Sequence, residues 1–192
     1  HAPRPLPPPV PHQFVAPAAP TSFEMKGAGF DIKATACQMD DVLPLDPPGE
    51  QEHTVCWVRN TFGVAPGSSS GGTSYILGHS WAENPLEVLN PMSELAMKQV
   101  DFQKPHPQSG IPTYPITDLN GYRVILHTST GVLTYKVADA FAVSKDQAAY
   151  VKPLMAATTP NRVVLITCGV LNGVDVDVNI VVDAYLESST AT

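Results

Sequence analysis

The sequence predicts a mostly β domain, a barrel or sandwich of short strands behind a proline-rich leader. The apolar runs are short and rich in Val, Ile, Thr and Tyr, and turn residues punctuate them. Proline crowds one end, with eight of the 20 prolines among the first twenty residues. A length of 192 residues suits one core and is small for two domains with a linker.

From His1 to about Ser22 the chain reads HAPRPLPPPVPHQFVAPAAPTS. Fixed proline φ angles and missing N–H donors favour an extended, semi-rigid spacer there. The functional module is expected to begin at Phe23 and run to Thr192. Strand-like runs cover Phe30 to Ala36, Thr54 to Val58, Ser74 to Leu77, Tyr122 to His127, Gly131 to Val143, Arg162 to Thr167 and Asn179 to Leu186. Alternation is clearest in the last: Ile180, Val182, Ala184 and Leu186 share one face, which packs, while Asn179, Asp183 and Tyr185 share a face reachable by solvent or substrate. Helical signal is limited to Asn84 to Lys98, interrupted at Pro91, and to Lys145 to Val151. The glycine and serine run from Gly67 to Thr73 reads as a mobile loop.

Eleven basic against 18 acidic residues give a net charge of −7 and leave no cationic field for phosphates, so a nucleic-acid partner is not expected. No stretch approaches the ~18 consecutive apolar residues of a bilayer span. The chain starts at His1 and not at Met, which is expected of a processed or trimmed chain. A phosphate loop, a Gly-x-Gly-x-x-Gly run and a Cys-x-x-Cys pair are all missing. His53 and Cys56 lack the further ligands a zinc site needs, so no metal is expected. Of the three cysteines, Cys37 and Cys56 could close a loop in an oxidising compartment, or all three could be buried thiols.

Cys168 closes the strongest apolar run, Val163-Val164-Leu165-Ile166-Thr167-Cys168-Gly169, so its thiol is expected where a core strand emerges into a loop. A free thiol with a pKa of ~8.5 is only a few per cent thiolate at neutral pH, so a nucleophilic cysteine needs a base or cation beside it. Tyr75-Ile76-Leu77-Gly78-His79 repeats the same layout: apolar strand, small residue, polar ring at the exit. His79 is therefore the expected partner. His127 also ends a strand and is the rival, while His1, His12 and His106 read as surface or satisfied core residues. The histidine precedes the cysteine, unlike the papain order, and the local motifs of papain-like, caspase-like and L,D-transpeptidase enzymes are missing.

Val164-Leu165-Ile166-Thr167-Cys168 and the Gly78-His79 pair resemble the corresponding motifs of the sortases, cysteine transpeptidases of Gram-positive cell surfaces. The Cys-Gly pair and the compact length look most like the class E and class F enzymes of actinobacteria. The resemblance spans Phe23 to Leu186 and implies a closed β-barrel of about eight strands with one or two short helices. It implies that Cys168 attacks the Thr carbonyl of a Leu-Pro-x-Thr-Gly-like sorting signal and that His79 exchanges protons with the thiol and the leaving amine. A cell-wall precursor or a pilin lysine would then be the amine acceptor, with no cofactor. The catalytic domain would sit at the extracellular face of the membrane on an N-terminal anchor. Thr167, Val151, Leu154 and Met155 would contact the peptide. The arginine that sortases carry five residues before the alanine of Val-Val-x-Ala is replaced by Asn179, and no arginine follows Arg162. Asn179 is expected to supply a neutral hydrogen bond in its place. The competing expectations are a sortase-like peptide-binding or assembly module without turnover, and a structural surface domain whose thiol is incidental.

Overall fold

The β-branched runs pair into a single sheet that curls until its ends meet. The computed structural model describes residues 12–43, 45–49, 51–59 and 63–192. In chain order the strands are β1 (Pro20–Lys26), β2 (Asp31–Asp40), β3 (Thr54–Arg59), β4 (Thr73–Leu77), β5 (Thr113–Pro115), β6 (Arg123–Thr128), β7 (Gly131–Ser144), β8 (Arg162–Leu171) and β9 (Val174–Ala191). Helix α1 (Asn90–Met97) follows β4, and a 3-10 turn (Ala148–Tyr150) with the short α2 (Lys152–Met155) lies between β7 and β8. The strand order is β5-β7-β6-β1-β2-β3-β4-β8-β9, and a β7–β9 pairing closes eight of these strands into a barrel with β5 appended at β7. This is the closed, mostly β barrel with one or two short helices that the family resemblance implied.

All seven expected strands form, and several run further than their apolar cores. Two more were not expected. β1 shows only Phe23 and Met25 as inward residues and opens on Pro20, which a strand tolerates at its first position. β5 is three residues long. Pro91 does not break α1 but lies in its first turn, where the missing N–H has no helical partner to lose. The expected helix at Lys145 to Val151 is replaced by the 3-10 turn, and α2 starts where Pro153 can occupy a first turn.

The expected spacer is part of the barrel from His12 onward; its first eleven residues, His1 included, lie outside the described residues. Val15 is fully buried, Gln13 N–H donates to the Ser189 carbonyl at 3.0 Å, and the Thr130 hydroxyl donates to the Ala16 carbonyl at 2.7 Å. The glycine and serine run is tied down as well: Ser68 N–H donates to the Val15 carbonyl at 2.9 Å, and Ser68 Oγ accepts from Val15 N–H at 2.7 Å.

β3, β4, β8 and β9 bury both faces. Val55, Ile76, Leu165, Ile180 and Val182 join the large cluster filling the barrel. Their neighbours of opposite parity, Cys56, Tyr75, Leu77, Val164 and Val181, join a second cluster on the other face with Val151 and Leu154. The face of β9 expected to be open is therefore mostly covered. Asp183 on that face is 5% exposed and pairs with Arg162, itself 3% exposed, at 3.2 Å. The Arg162 guanidinium also donates to the carbonyls of Pro153 (2.7 Å) and Ala156 (3.1 Å) and to Thr73 Oγ1 (2.9 Å), pinning the α2 segment to the barrel.

β2 and β3 run parallel with Cys37 opposite Cys56, and a disulfide joins the two at a Cα separation of 4.4 Å. The crossover between these strands is thus stapled near its base, and Cys168 is the free thiol.

Burial raises the Asp183 carboxyl to about 6, outweighing Arg162, which lowers it, while Asp139 adds to the rise. A folded-state value above the unfolded one means the native state holds the proton more tightly, so this group's contribution to stability falls as pH rises from about 4 to about 6. Urea titrations of the parent against Asp183→Asn should show the parent losing stability over that window by on the order of 3 kcal/mol. A stability difference flat across the window would refute the assignment.

Candidate active site

Strand register brings four polar groups to one end of the barrel. β4 and β8 are parallel with Leu77 opposite Ile166, so His79 comes level with Cys168, each two residues further on. On the other side of β8, Cys168 lies directly opposite Asn179 of β9. Asn179 in turn faces Val143 of β7, with Lys145 two residues beyond. The alternation that puts Leu77, Val164, Val181 and Val143 in the second cluster assigns His79, Cys168, Asn179 and Lys145 to that same face.

All four line one cavity of about 660 Å³. Tyr75, Leu77 and Ile166 floor it. Leu43, Leu45, Asp46 and Pro47 of the β2–β3 crossover form one wall, and Ala148, Leu154 and Met155 the other. An apolar groove with a few convergent polar groups suits an extended peptide with apolar side chains.

The two strand exits are shaped by close approach. A Cβ on Gly78 would lie 2.6 Å from Leu89 Cδ1, and one on Gly169 would lie 2.7 Å from Val178 Cγ2, so glycine lets the neighbouring elements pack there. Behind the thiol, Ser93 of α1 donates to the Cys168 carbonyl at 2.7 Å and accepts from Val170 N–H at 2.8 Å. These bonds span the bulge between Cys168 and Gly169. Beyond the imidazole, the Asn90 side chain accepts from Trp81 N–H at 2.7 Å and donates to the Trp81 carbonyl at 3.0 Å.

Leu154 and Met155 line the cavity. Val151 does not: it is fully buried in the second cluster, turned inward where α2 begins. Thr167 borders the cavity, yet its hydroxyl donates to the Gly78 carbonyl at 2.7 Å and accepts from Ser80 at 2.7 Å. It is a strut between the two strand exits. The rival His127 pairs across β1 and β6, 3.8 Å from Glu24, and neither it nor His12 or His106 lines the cavity. Arg59 is held by Asp40 at 2.7 Å and Arg123 by Glu187 at 2.6 Å, and neither lines the cavity. Among the described residues, Lys145 is the one lysine or arginine lining the cavity. Sequence reasoning missed Lys145 and Asp46; for Lys145 the signal was its parity with Phe141 and Val143 on β7.

Residues 38–187 match the family model described as the Sortase domain. The chain belongs to the sortase family. Sortases are cysteine transpeptidases, and solved members share this one's fold. Sortase A of Listeria monocytogenes aligns with a TM-score of 0.53 at 13% identity, covering 91% of each chain. Sortase E1 of Streptomyces coelicolor, solved with a tripeptide in its active site, gives 0.54 at 12% identity over 92% of this chain and 94% of that one. Sortase C-3 of Streptococcus pneumoniae gives 0.51 at 13% identity, covering 92% of this chain and 66% of that one. At these identities the likeness is one of fold. No curated protein matches the chain.

The strut role of Thr167 in this sortase is testable with the near-isosteric Thr167→Val. Leaving the buried Gly78 carbonyl without its donor should cost about 1–3 kcal/mol in denaturant unfolding. A variant as stable as the parent would show that the hydroxyl bridges nothing of consequence.

Proposed function

We propose that this sortase cleaves a Leu-Pro-x-Thr-Gly-like sorting signal between Thr and Gly and transfers the acyl group to an amine. The observation that carries this reading is the register of β4 against β8, which sets an imidazole level with the free thiol in an apolar groove. In this reading the Cys168 thiol gives its proton to His79, and sulfur bonds to the Thr carbonyl carbon. The C–N bond to Gly then breaks, and the proton passes from His79 to the leaving amine. An incoming amine, from a cell-wall precursor or a pilin lysine, reverses the sequence and frees the thiol. Leu154, Met155, Leu43 and Leu45 take the apolar part of the signal. Asn179 donates to the oxyanion through its amide, and Lys145 supplies the positive charge at the adjacent strand end. A disulfide beside a free catalytic thiol suits a domain held outside the cell, anchored through a segment ahead of this chain.

Incubation with Leu-Pro-x-Thr-Gly and Leu-Ala-x-Thr-Gly peptides plus triglycine should yield Thr–Gly cleavage and an acyl adduct on Cys168 by mass spectrometry. Cys168→Ala and His79→Ala should each abolish turnover. Asn179 in the arginine position favours a second reading, a peptide-binding module; peptide binding by Cys168→Ala with no turnover by the parent would establish it.

The oxyanion assignment is checked by steady-state kinetics. Asn179→Ala should lower kcat/KM by about 10²-fold, the low end for one oxyanion donor. Lys145→Met should cost about tenfold, the lower range for a hydrogen bond to a charged group, and Lys145→Arg should restore most of the loss. Wild-type rates in both neutral variants would refute these roles.

A further inference from the structure

We propose that Asp46 is a positioning residue that fixes the tautomer and orientation of His79, so that Nδ1 is the nitrogen that exchanges protons. The inference rests on the proposed acid–base role of His79 and adds to it which ring nitrogen acts and what holds the ring.

His79 Nε2 lies 3.1 Å from Asp46 Oδ1 and 3.3 Å from the Pro47 carbonyl oxygen. Both are acceptors. A bare Nε2 would aim its lone pair at two oxygens, so the arrangement is satisfied only when Nε2 carries its hydrogen. With Nε2–H committed, the neutral ring is bare at Nδ1, and that nitrogen is left to take the thiol proton and return it to the leaving amine. A ring free to swap tautomers would spend part of its time with Nδ1 protonated, unable to act as base.

Neighbouring bonds hold the acceptor pair in place. The disulfide at Cys37 and Cys56 staples the crossover from which Asp46 projects. Gln51 Nε2 donates to the Pro48 carbonyl at 2.7 Å, and the Gln51 backbone carbonyl accepts from Val88 N–H at 3.0 Å. The ring's own backbone is fixed from the other side, where Leu89 N–H donates to the His79 carbonyl at 3.0 Å. The Asp46 side chain is 74% exposed and that of His79 32%, so an ion pair between them in water contributes little energy. What it supplies is direction, with the Pro47 carbonyl as second acceptor, and a peptide lying in the groove would displace the screening water.

The test uses the whole chain with Asp46→Ala, Asp46→Asn and Asp46→Glu. Ring-selective ¹⁵N NMR of the parent should show neutral His79 protonated at Nε2, and Asp46→Ala should show a mixture of tautomers. Alkylation of Cys168 by iodoacetamide should slow about two- to fivefold in Asp46→Ala, the range of an exposed ion pair, with Asp46→Glu recovering part of it. Neither readout needs a peptide substrate. Where a peptide is turned over, kcat should fall and KM stay within about twofold. Unchanged tautomer and alkylation rate in Asp46→Ala would overturn the proposal, as would faster alkylation, which would make the crossover an obstruction over the thiol. His79→Ala separates the two levels. If His79→Ala remains active, the acid–base reading itself fails; if it is dead while Asp46→Ala is unaffected, only the role of Asp46 fails.

Discussion

The period of two along four neighbouring strands is the constraint on which this site depends. β4, β8, β9 and β7 each alternate between the barrel interior and a second apolar cluster, so each strand's register is fixed by burial on both sides. A slip of one residue would exchange Leu165 with Ile166 and Leu77 with Ile76, and would turn the thiol and the imidazole into hydrocarbon. The groove chemistry is thus held in place by the same free energy that holds the core. Nothing in the cleft has to enforce the proximity of His79 and Cys168, because the parallel ladder between β4 and β8 already does so.

Arg162 shows how the second face was covered. The groove wall of α2 is a single turn, too short to stand alone, and its carbonyls at Pro153 and Ala156 would be left without donors. A buried guanidinium meets them and Thr73 at once, with Asp183 balancing its charge. Such a pair is costly to desolvate and more costly to break on one side. Its return is a rigid wall carrying Leu154 and Met155 into the groove. The last arginine of the chain is therefore committed to architecture, and the lysine or arginine that lines the groove among the described residues is Lys145.

Much of this was legible in the sequence because it is local. The continuous apolar run ending in Thr167-Cys168 reads as a strand buried on both faces, and Gly78-His79 repeats its layout; that the two exits meet depends on the parallel β4–β8 pairing. What escaped depended on pairing that no local pattern encodes. Asp46 reaches His79 only because a crossover between two parallel strands folds back over the next strand end. The leader reads as a spacer because its prolines dominate, yet Val15 and the residues around Gln13 find a slot along β9. Val151 reads as a groove contact because a groove lining and a core contact look identical until the turn before Pro153 is known; it lies in the second cluster. The strut role of Thr167 is hidden for the same reason, since its partners, the Gly78 carbonyl and Ser80, lie at the other strand exit.

The cysteines complete the logic of the second face. Cys56 has the parity of Tyr75 and Leu77 and lies in the same cluster that leads to Cys168, so a reduced Cys56 would be a second thiol under the groove floor. Pairing it with Cys37 removes that thiol from the face and closes the crossover with one bond. In an oxidising compartment this leaves a single sulfur free to react, with no cysteine partner to capture it. The odd count of three thus divides into two sulfurs that hold the loop reaching the imidazole and one free thiol lining the groove.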